Sequence, residues 1–328
     1  MGNSNWKDDL KIVIDDWSTS SQDVVLSADV DGLLSCALLA TRHPTRVLGV
    51  YTTTHLVLLD GATSEDAARA LWLDHDVSEP GVRCIGQHLV HHSASDVLPR
   101  REKVSFNPNV WKKQSWDKSF RGRSGLKRDK YPYGTCHFLA DFFGVDPDAS
   151  DGDLPALLAH ADGTWRTVVD YAANASIWFD DMFSGNRFLE TLRKEWHSQP
   201  DWLSTHAKVV VTLVDAGVSA SASRARIAAL LPPEQRGLTG RQSIRYSPAN
   251  PQNYIDKIRK VLDYIAAEVG SSPSMGRTVT STISGTVETP YPNTLSDFDD
   301  FMERNKVFSH AFTDLRTLRY TTGIVLSS

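Results

Sequence analysis

Acidic side chains, with one histidine among them, follow three apolar segments early in this sequence. Asp29 and Asp31 come after DVVLSA, Asp60 after LVLL, and the triplet Asp74-His75-Asp76 after LWL. Carboxylates that gather at one place repel one another unless a positive charge lies among them, and a divalent metal supplies that charge. Oxygen ligands with one imidazole favour Mn²⁺ or Mg²⁺ over structural zinc. The residue types therefore indicate a site for a hard cation.

The metal site requires that the three acidic groups meet. A single aspartate after a strand would not indicate a ligand, because it is also typical of a turn or a helix cap. The hydrophobic pattern predicts strands at 23–28, 46–51, 56–59, 71–73 and 83–90, and helices at 6–17, 32–41 and 64–70. This alternation predicts an α/β fold with a doubly wound, mainly parallel sheet. The carboxyl ends of such strands line one crevice, where we expect the carboxylates to converge.

The hydrophobic pattern of the remaining residues predicts a helical insert and a second domain. Helices are expected at 133–145, 153–162 and across most of 166–205. From residue 206 onward the pattern predicts a strand at 208–214, helices at 222–231, 253–270 and 295–305, a strand at 277–289 and an antiparallel pair at the end. We therefore divide the chain into a metal-binding domain, 1–205, and a smaller α+β domain, 206–328, for substrate binding or dimerisation.

The order of these motifs resembles that of the DHH phosphoesterase superfamily, in its RecJ-like branch. The first motif, D-x-D-G-x-x-S, is matched from Asp29 to Ser35, the second by Asp60, and the D-H-H triplet by Asp74-His75-Asp76. The fourth motif is matched by Asp162, with Asp170 as a rival. The step Asn107-Pro108-Asn109 also resembles that branch, and the resemblance covers residues 23–178.

The resemblance implies the roles of the acidic residues. Asp74, His75 and Asp76 would form the catalytic triplet, and one or two Mn²⁺ or Mg²⁺ ions would be held by Asp29, Asp31, Asp60, His75 and Asp162. The chain departs from the family because its triplet ends in aspartate and because Ser27 and Ala28 stand where a further ligand is usual. His88, on the next predicted strand, is the candidate for the missing imidazole.

A basic segment follows this region. Residues 112–130 contain eight basic and two acidic residues, with Trp116 and Phe120 among them. Basic side chains contact phosphates and aromatic rings stack on bases, although a solvated basic loop has the same composition. The candidate substrate-binding residues are His88, Asn107, Lys112, Lys113, Arg121 and Arg123.

Composition narrows the class of protein. The net charge of −5 argues against a protein that coats DNA. No apolar run is long enough for a membrane helix, and the first residues do not resemble a signal peptide. Cys36, Cys84 and Cys136 lie far apart, which excludes a disulfide framework. We therefore expect a cytoplasmic protein that does not act at a membrane.

These observations predict a metal-dependent phosphoesterase. Its substrate would be a nucleotide or single-stranded nucleic acid. The enzyme would hydrolyse phosphodiester bonds in a nucleic acid, a short oligonucleotide or a cyclic dinucleotide. The alternative is a catalytically degenerate relative that binds nucleotide or nucleic acid as a subunit of a complex. A haloacid dehalogenase phosphatase also begins with D-x-D-G, but that interpretation leaves the triplet unexplained. The sequence leaves open whether the chain assembles with itself or with another subunit.

Overall fold

The computed structural model of the chain describes residues 5–15, 22–91, 104–114, 129–147, 152–194, 198, 201–216, 244, 246–289, 298–314 and 317–326. Within these ranges the chain has an α/β fold, with a mixed sheet of mostly parallel strands, flanking helices and a separate small antiparallel sheet. None of the helices described there combines the length and hydrophobicity that a membrane span requires.

The residues fall into two compact units that alternate along the chain. Unit 1 contains residues 1–27, 46–131 and 278–328, and unit 2 contains 28–45 and 132–277. This division differs from the expected one at residue 206. The assignment of a metal-binding domain to 1–205 and a substrate domain to 206–328 stays a prediction.

Eleven strands are present in the described ranges. They are β1 (Gln22–Ser27), β2 (Thr45–Tyr51), β3 (His55–Leu59), β4 (Leu71–Leu73), β5 (Arg83–Ile85), β6 (Ser105–Phe106), β7 (Ser274–Met275), β8 (Val279–Ser284), β9 (Thr286–Glu288), β10 (Ser309–Asp314) and β11 (Thr317–Thr322). The larger sheet has the order β6-β5-β4-β1-β2-β3-β8, and the smaller one β10-β11-β9.

Strand direction divides the larger sheet into two parts. β1, β4, β5 and β6 pair in parallel, and their runs of apolar residues are buried, as parallel strands require. β3 pairs antiparallel with both β2 and β8. The parallel part therefore has one edge at which the ends of β1, β4 and β5 lie together.

The core of unit 1 lies against this sheet. The rings of Tyr51, Trp72 and Phe308 meet edge to face, with centroids 5.5 Å apart in each pair. Each ring is fully or almost fully buried, and such pairs add to the free energy gained from burying their area. Residues distant in sequence thus stabilise the same core.

Twelve α-helices are described. They are α1 (Trp6–Asp15), α2 (Val30–Ala40), α3 (Ser64–Arg69), α4 (Pro108–Trp111), α5 (Thr135–Phe143), α6 (Leu154–His160), α7 (Thr164–Asp170), α8 (Ala172–Met182), α9 (Arg187–Lys194), α10 (Trp202–Ala216), α11 (Pro251–Val269) and α12 (Phe298–Arg304). Unit 2 centres on α2, which is buried from Val30 to Leu39 and packs on α5, α6 and α11. A helix this apolar on every side belongs in a core.

Most of the predicted elements are confirmed, and three differ. The single strand expected at 277–289 is divided into β8 and β9, which belong to different sheets. The expected strand at 208–214 is wrong, because these residues lie within α10. The strand expected at 83–90 ends at Ile85. The helix expected at 222–231 and the Ser296 cap expected for the helix at 295–305 lie outside the described residues.

Candidate functional site

A fully buried carboxylate, that of Asp74, lies where β4 ends. Ser27 Oγ at the end of β1 donates a hydrogen bond to Asp74 Oδ2 (2.8 Å), and His88 Nε2 lies 3.2 Å from Asp74 Oδ1. The backbone of Asp74 is left-handed (φ 56°), and its N–H donates to Ile85 O on β5 (2.7 Å). The ends of three parallel strands thus fix this carboxylate in place.

Asp76 is also buried, and one of its oxygens accepts three hydrogen bonds. The donors to Oδ2 are His88 N (3.1 Å), Leu89 N (3.2 Å) and Asn107 Nδ2 (2.9 Å). Hydrogen bonds to a charged acceptor stabilise it in place of water. Asp76 therefore holds the segment after β5 against the end of β4.

His75 makes a different contact from the one expected of a metal ligand. Its Nε2 lies 3.0 Å from the carbonyl oxygen of Tyr51, and its ring meets the Tyr51 and Trp72 rings edge to face. A carbonyl only accepts, so Nε2 carries the proton and donates. In this arrangement Nε2 of His75 offers no lone pair to a metal.

Asp60 and this triplet lie at opposite ends of the strands of the larger sheet. β2 and β3 run antiparallel, so the end of β3 lies beside the start of β2. Near that start, Arg46 pairs with Asp23 at the beginning of β1 (2.7 Å), whereas Tyr51, at the end of β2, contacts His75. Asp60 therefore lies away from the triplet.

The position of Asp60 is that of a turn residue. It is exposed and left-handed (φ 48°), and it exchanges hydrogen bonds with Thr278 through its N–H (2.9 Å) and its Oδ1 (2.8 Å). The sequence held the signal, because only Thr52, Thr53 and Thr54 separate β2 from β3. A parallel crossover needs a dozen or more residues.

The first-motif aspartates act as helix caps within unit 2. Asp29 is the N-cap of α2, and its Oδ1 accepts a hydrogen bond from Gly32 N (3.0 Å). Asp31 is buried and accepts from Thr135 N and Cys136 N, one at each oxygen, both at 2.7 Å. These amides begin α5, where the helix dipole favours a negative charge.

The two candidates for the fourth motif are exposed. Asp162 lies in the 3₁₀ turn Ala161–Gly163 with a left-handed backbone (φ 51°). Asp170 forms an ion pair with Arg166 one helical turn away (2.6 Å). Neither geometry identifies a ligand.

Of the predicted substrate-binding residues, the structure brings His88 and Asn107 to Asp74 and Asp76. Asn107 is buried, donates to Asp76 and caps α4 by accepting from Asn109 N (2.8 Å). Lys112 follows α4, and Lys113 is exposed. Arg121 and Arg123 lie outside the described residues.

Three residues of this cluster were missed as site residues. Ser27 donates to Asp74. Gln87 Nε2 lies 3.3 Å from His88 Nδ1. Gly86 lies against Asp76, and a Cβ there would be 2.8 Å from Asp76 Oδ2. Ser27 could have been identified from its position just before the first motif. Gly86 and Gln87 could not, because the hydrophobic pattern does not show that β5 ends at Ile85.

The donor chemistry of Asp74 and His88 suits a hard cation. Asp74 Oδ1 and His88 Nε2 are 3.2 Å apart, and neighbouring ligands of an octahedral cation are about 3 Å apart when each bond is about 2.1 Å. Across the described residues, no group of three His, Cys, Asp or Glu side chains is arranged to hold a metal.

Comparisons of the chain with protein-family models, with curated proteins and with solved structures found no match.

Proposed function

We propose that this chain is a metal-dependent phosphoesterase that hydrolyses phosphodiester bonds in a nucleic acid, a short oligonucleotide or a cyclic dinucleotide. One observation carries the proposal. The buried Asp74 carboxylate accepts a hydrogen bond from Ser27 and lies 3.2 Å from His88 Nε2. It is at the carboxyl ends of parallel strands, where α/β proteins place their ligands. The triplet Asp74-His75-Asp76, which resembles the D-H-H motif of the DHH superfamily, supports the same assignment.

The proposed cofactor is Mn²⁺ or Mg²⁺, held near Asp74 and His88. When bound, such a cation lowers the pKa of a water molecule and stabilises charge on phosphoryl oxygens. Ser27 orients the Asp74 carboxylate, and the side chain of His88, 35% exposed, is accessible to substrate. Lys112 and Lys113 follow α4 in sequence and are assigned to neighbouring phosphates.

The finer features of the expected fold belong to this proposal. They are the doubly wound arrangement of the sheet, the helical insert and a separate C-terminal substrate domain. A cytoplasmic location is proposed with them, since three distant cysteines, all free and buried in the structure, suit a reducing compartment.

The decisive experiment compares two aspartates that lie at opposite ends of the strands of the larger sheet. Asp74→Asn keeps the shape of the side chain and removes its charge, so we expect kcat to fall by about 100-fold. Asp60→Asn changes a turn residue and should leave kcat unchanged. The measurement is Mn²⁺-dependent hydrolysis of bis(p-nitrophenyl) phosphate, of a short single-stranded DNA and of a cyclic dinucleotide.

Two outcomes would overturn the proposal. One is full activity in Asp74→Asn, and the other is wild-type hydrolysis that persists in excess chelator. Thermal unfolding of both variants, monitored by circular dichroism, verifies that each is folded before its kcat is compared.

A second candidate function is nucleotide binding without turnover. Two of the expected metal ligands make hydrogen bonds within the protein instead, which favours this candidate. Asp31 accepts from two helix amides, and His75 donates to a carbonyl. Equal oligonucleotide binding with and without Mn²⁺, together with no hydrolysis, would support it.

A further inference from the structure

The segment after β5 folds back onto Asp76 through its backbone. Gly86 N donates to Phe106 O (3.1 Å), and the next residues present the amides of His88 and Leu89 to Asp76 Oδ2. A side chain at position 86 would collide with Asp76, because its Cβ would be 2.8 Å from Oδ2. The close approach therefore depends on glycine at this position.

The side chain of His88 then turns to the neighbouring aspartate. Its Nε2 lies 3.2 Å from Asp74 Oδ1, while its backbone N–H is held by Asp76. Gln87 Nε2 lies 3.3 Å from His88 Nδ1 and 3.5 Å from His88 Nε2. Asp74 and Gln87 therefore both border the imidazole ring.

We propose that Asp76 is a positioning residue, and that it fixes His88 as the imidazole that faces the substrate in this site. This role differs from that of a ligand or a base, which Asp76 would have as the third member of the triplet. The catalytic role of His88 rests on the proposed function. That Asp76 holds His88 in place rests only on the three hydrogen bonds to Asp76 Oδ2.

The chemistry of Asp76 distinguishes the two roles. A ligand or a base needs the carboxylate charge, whereas a clamp needs only an oxygen that accepts N–H groups. Asparagine supplies such an oxygen without the charge. Asp76→Asn should therefore keep His88 in place, and Asp76→Ala should release it.

The first measurement is hydrogen exchange of the His88 and Leu89 amides in the full chain, which requires no activity. We expect exchange in Asp76→Ala to be faster than in wild type by about tenfold or more, since the acceptor is gone. Asp76→Asn should stay close to wild type. Unchanged exchange in Asp76→Ala would overturn the clamp.

The second measurement is kcat for bis(p-nitrophenyl) phosphate with Mn²⁺. Asp76→Ala should lose about 10- to 100-fold, as His88→Ala does, while Asp76→Asn retains activity within a few fold. Gly86→Ala should behave like Asp76→Ala, although it removes no functional group. A loss in Asp76→Asn as large as in Asp76→Ala would show that Asp76 acts through its charge.

The two proposals fail in distinguishable ways. A wild-type protein that hydrolyses nothing removes the proposed function, while the amide exchange still decides whether Asp76 holds His88. Should Asp76→Ala not fold, Gly86→Ala and Asp76→Asn still separate a clamp from a charged group, because the first displaces a carboxylate that keeps its charge and the second keeps an uncharged acceptor in place.

Discussion

Backbone amides, rather than opposite charges, hold several of the buried polar side chains. Asp31 accepts from two amides of α5, Asp76 accepts from His88 and Leu89, and His137 Nδ1 accepts from Gly134 N (2.9 Å). A buried polar group requires such partners, because leaving it unsatisfied costs about 1–3 kcal/mol. Each of these side chains consequently positions a turn or a helix end.

His137 makes the stability of the chain dependent on pH. Burial lowers its pKa from 6.5 to about 4, so the folded state stays neutral while the unfolded state binds a proton below pH 6.5. Between pH 6.5 and 5 the free energy of unfolding should fall by about 2 kcal/mol from this residue. Urea unfolding at the two pH values measures the loss.

The matched control is His137→Gln. Glutamine at this third helical position can accept from the Gly134 amide as a capping residue does, but it does not titrate. The variant should lose about 2 kcal/mol less than wild type over the same interval. Equal losses in both proteins would contradict the assignment to His137.

At the scale of elements, the structure joins a first-motif aspartate to the start of α5. We expect Asp31→Ala to lower the free energy of unfolding by about 2–3 kcal/mol, because it leaves two buried amides without this acceptor. Asp31→Asn retains one acceptor oxygen and should lose less. Urea denaturation of the metal-free protein measures both, and a more stable Asp31→Ala would contradict the capping role.

Local patterns predicted the elements well where burial and period agreed. The run Val24–Leu26 is buried and forms β1, and Gly270 ends α11 with a left-handed backbone (φ 73°) as expected. Residues 208–214 were misassigned because their β-branched residues favour a strand locally. The buried positions, His206, Val209, Val210 and Leu213, follow the helical period.

The candidate site was predictable in only some of its residues and in none of its contacts. The triplet was found from sequence because it follows an apolar run, and His88 because it lies on the next predicted strand. The direction of β3 decided that Asp60 lies elsewhere, and strand direction is a property of pairing, not of composition. The roles of Ser27 and Asp76 depend on side chains that meet across strands, which no local pattern specifies.

At the scale of the molecule, the C-terminal residues complete the core of unit 1. Phe308 is fully buried against Tyr51 and Trp72, and its truncation leaves a cavity. We expect Phe308→Ala to lower the free energy of unfolding by about 3–5 kcal/mol. Val325→Ala, at a side chain 68% exposed, should change it by less than about 0.5 kcal/mol. Similar effects in both variants, measured by urea denaturation, would contradict this core.

The alternation of the two units along the chain has a consequence for synthesis. Unit 1 needs residues 278–328, which leave the ribosome after residues 1–277. Until then β3 lacks its partner β8, and the nascent chain presents an open strand edge of apolar residues. Such edges pair with other chains and lead to aggregation. The yield of folded protein in the cell should therefore depend on chaperones that cover the growing chain.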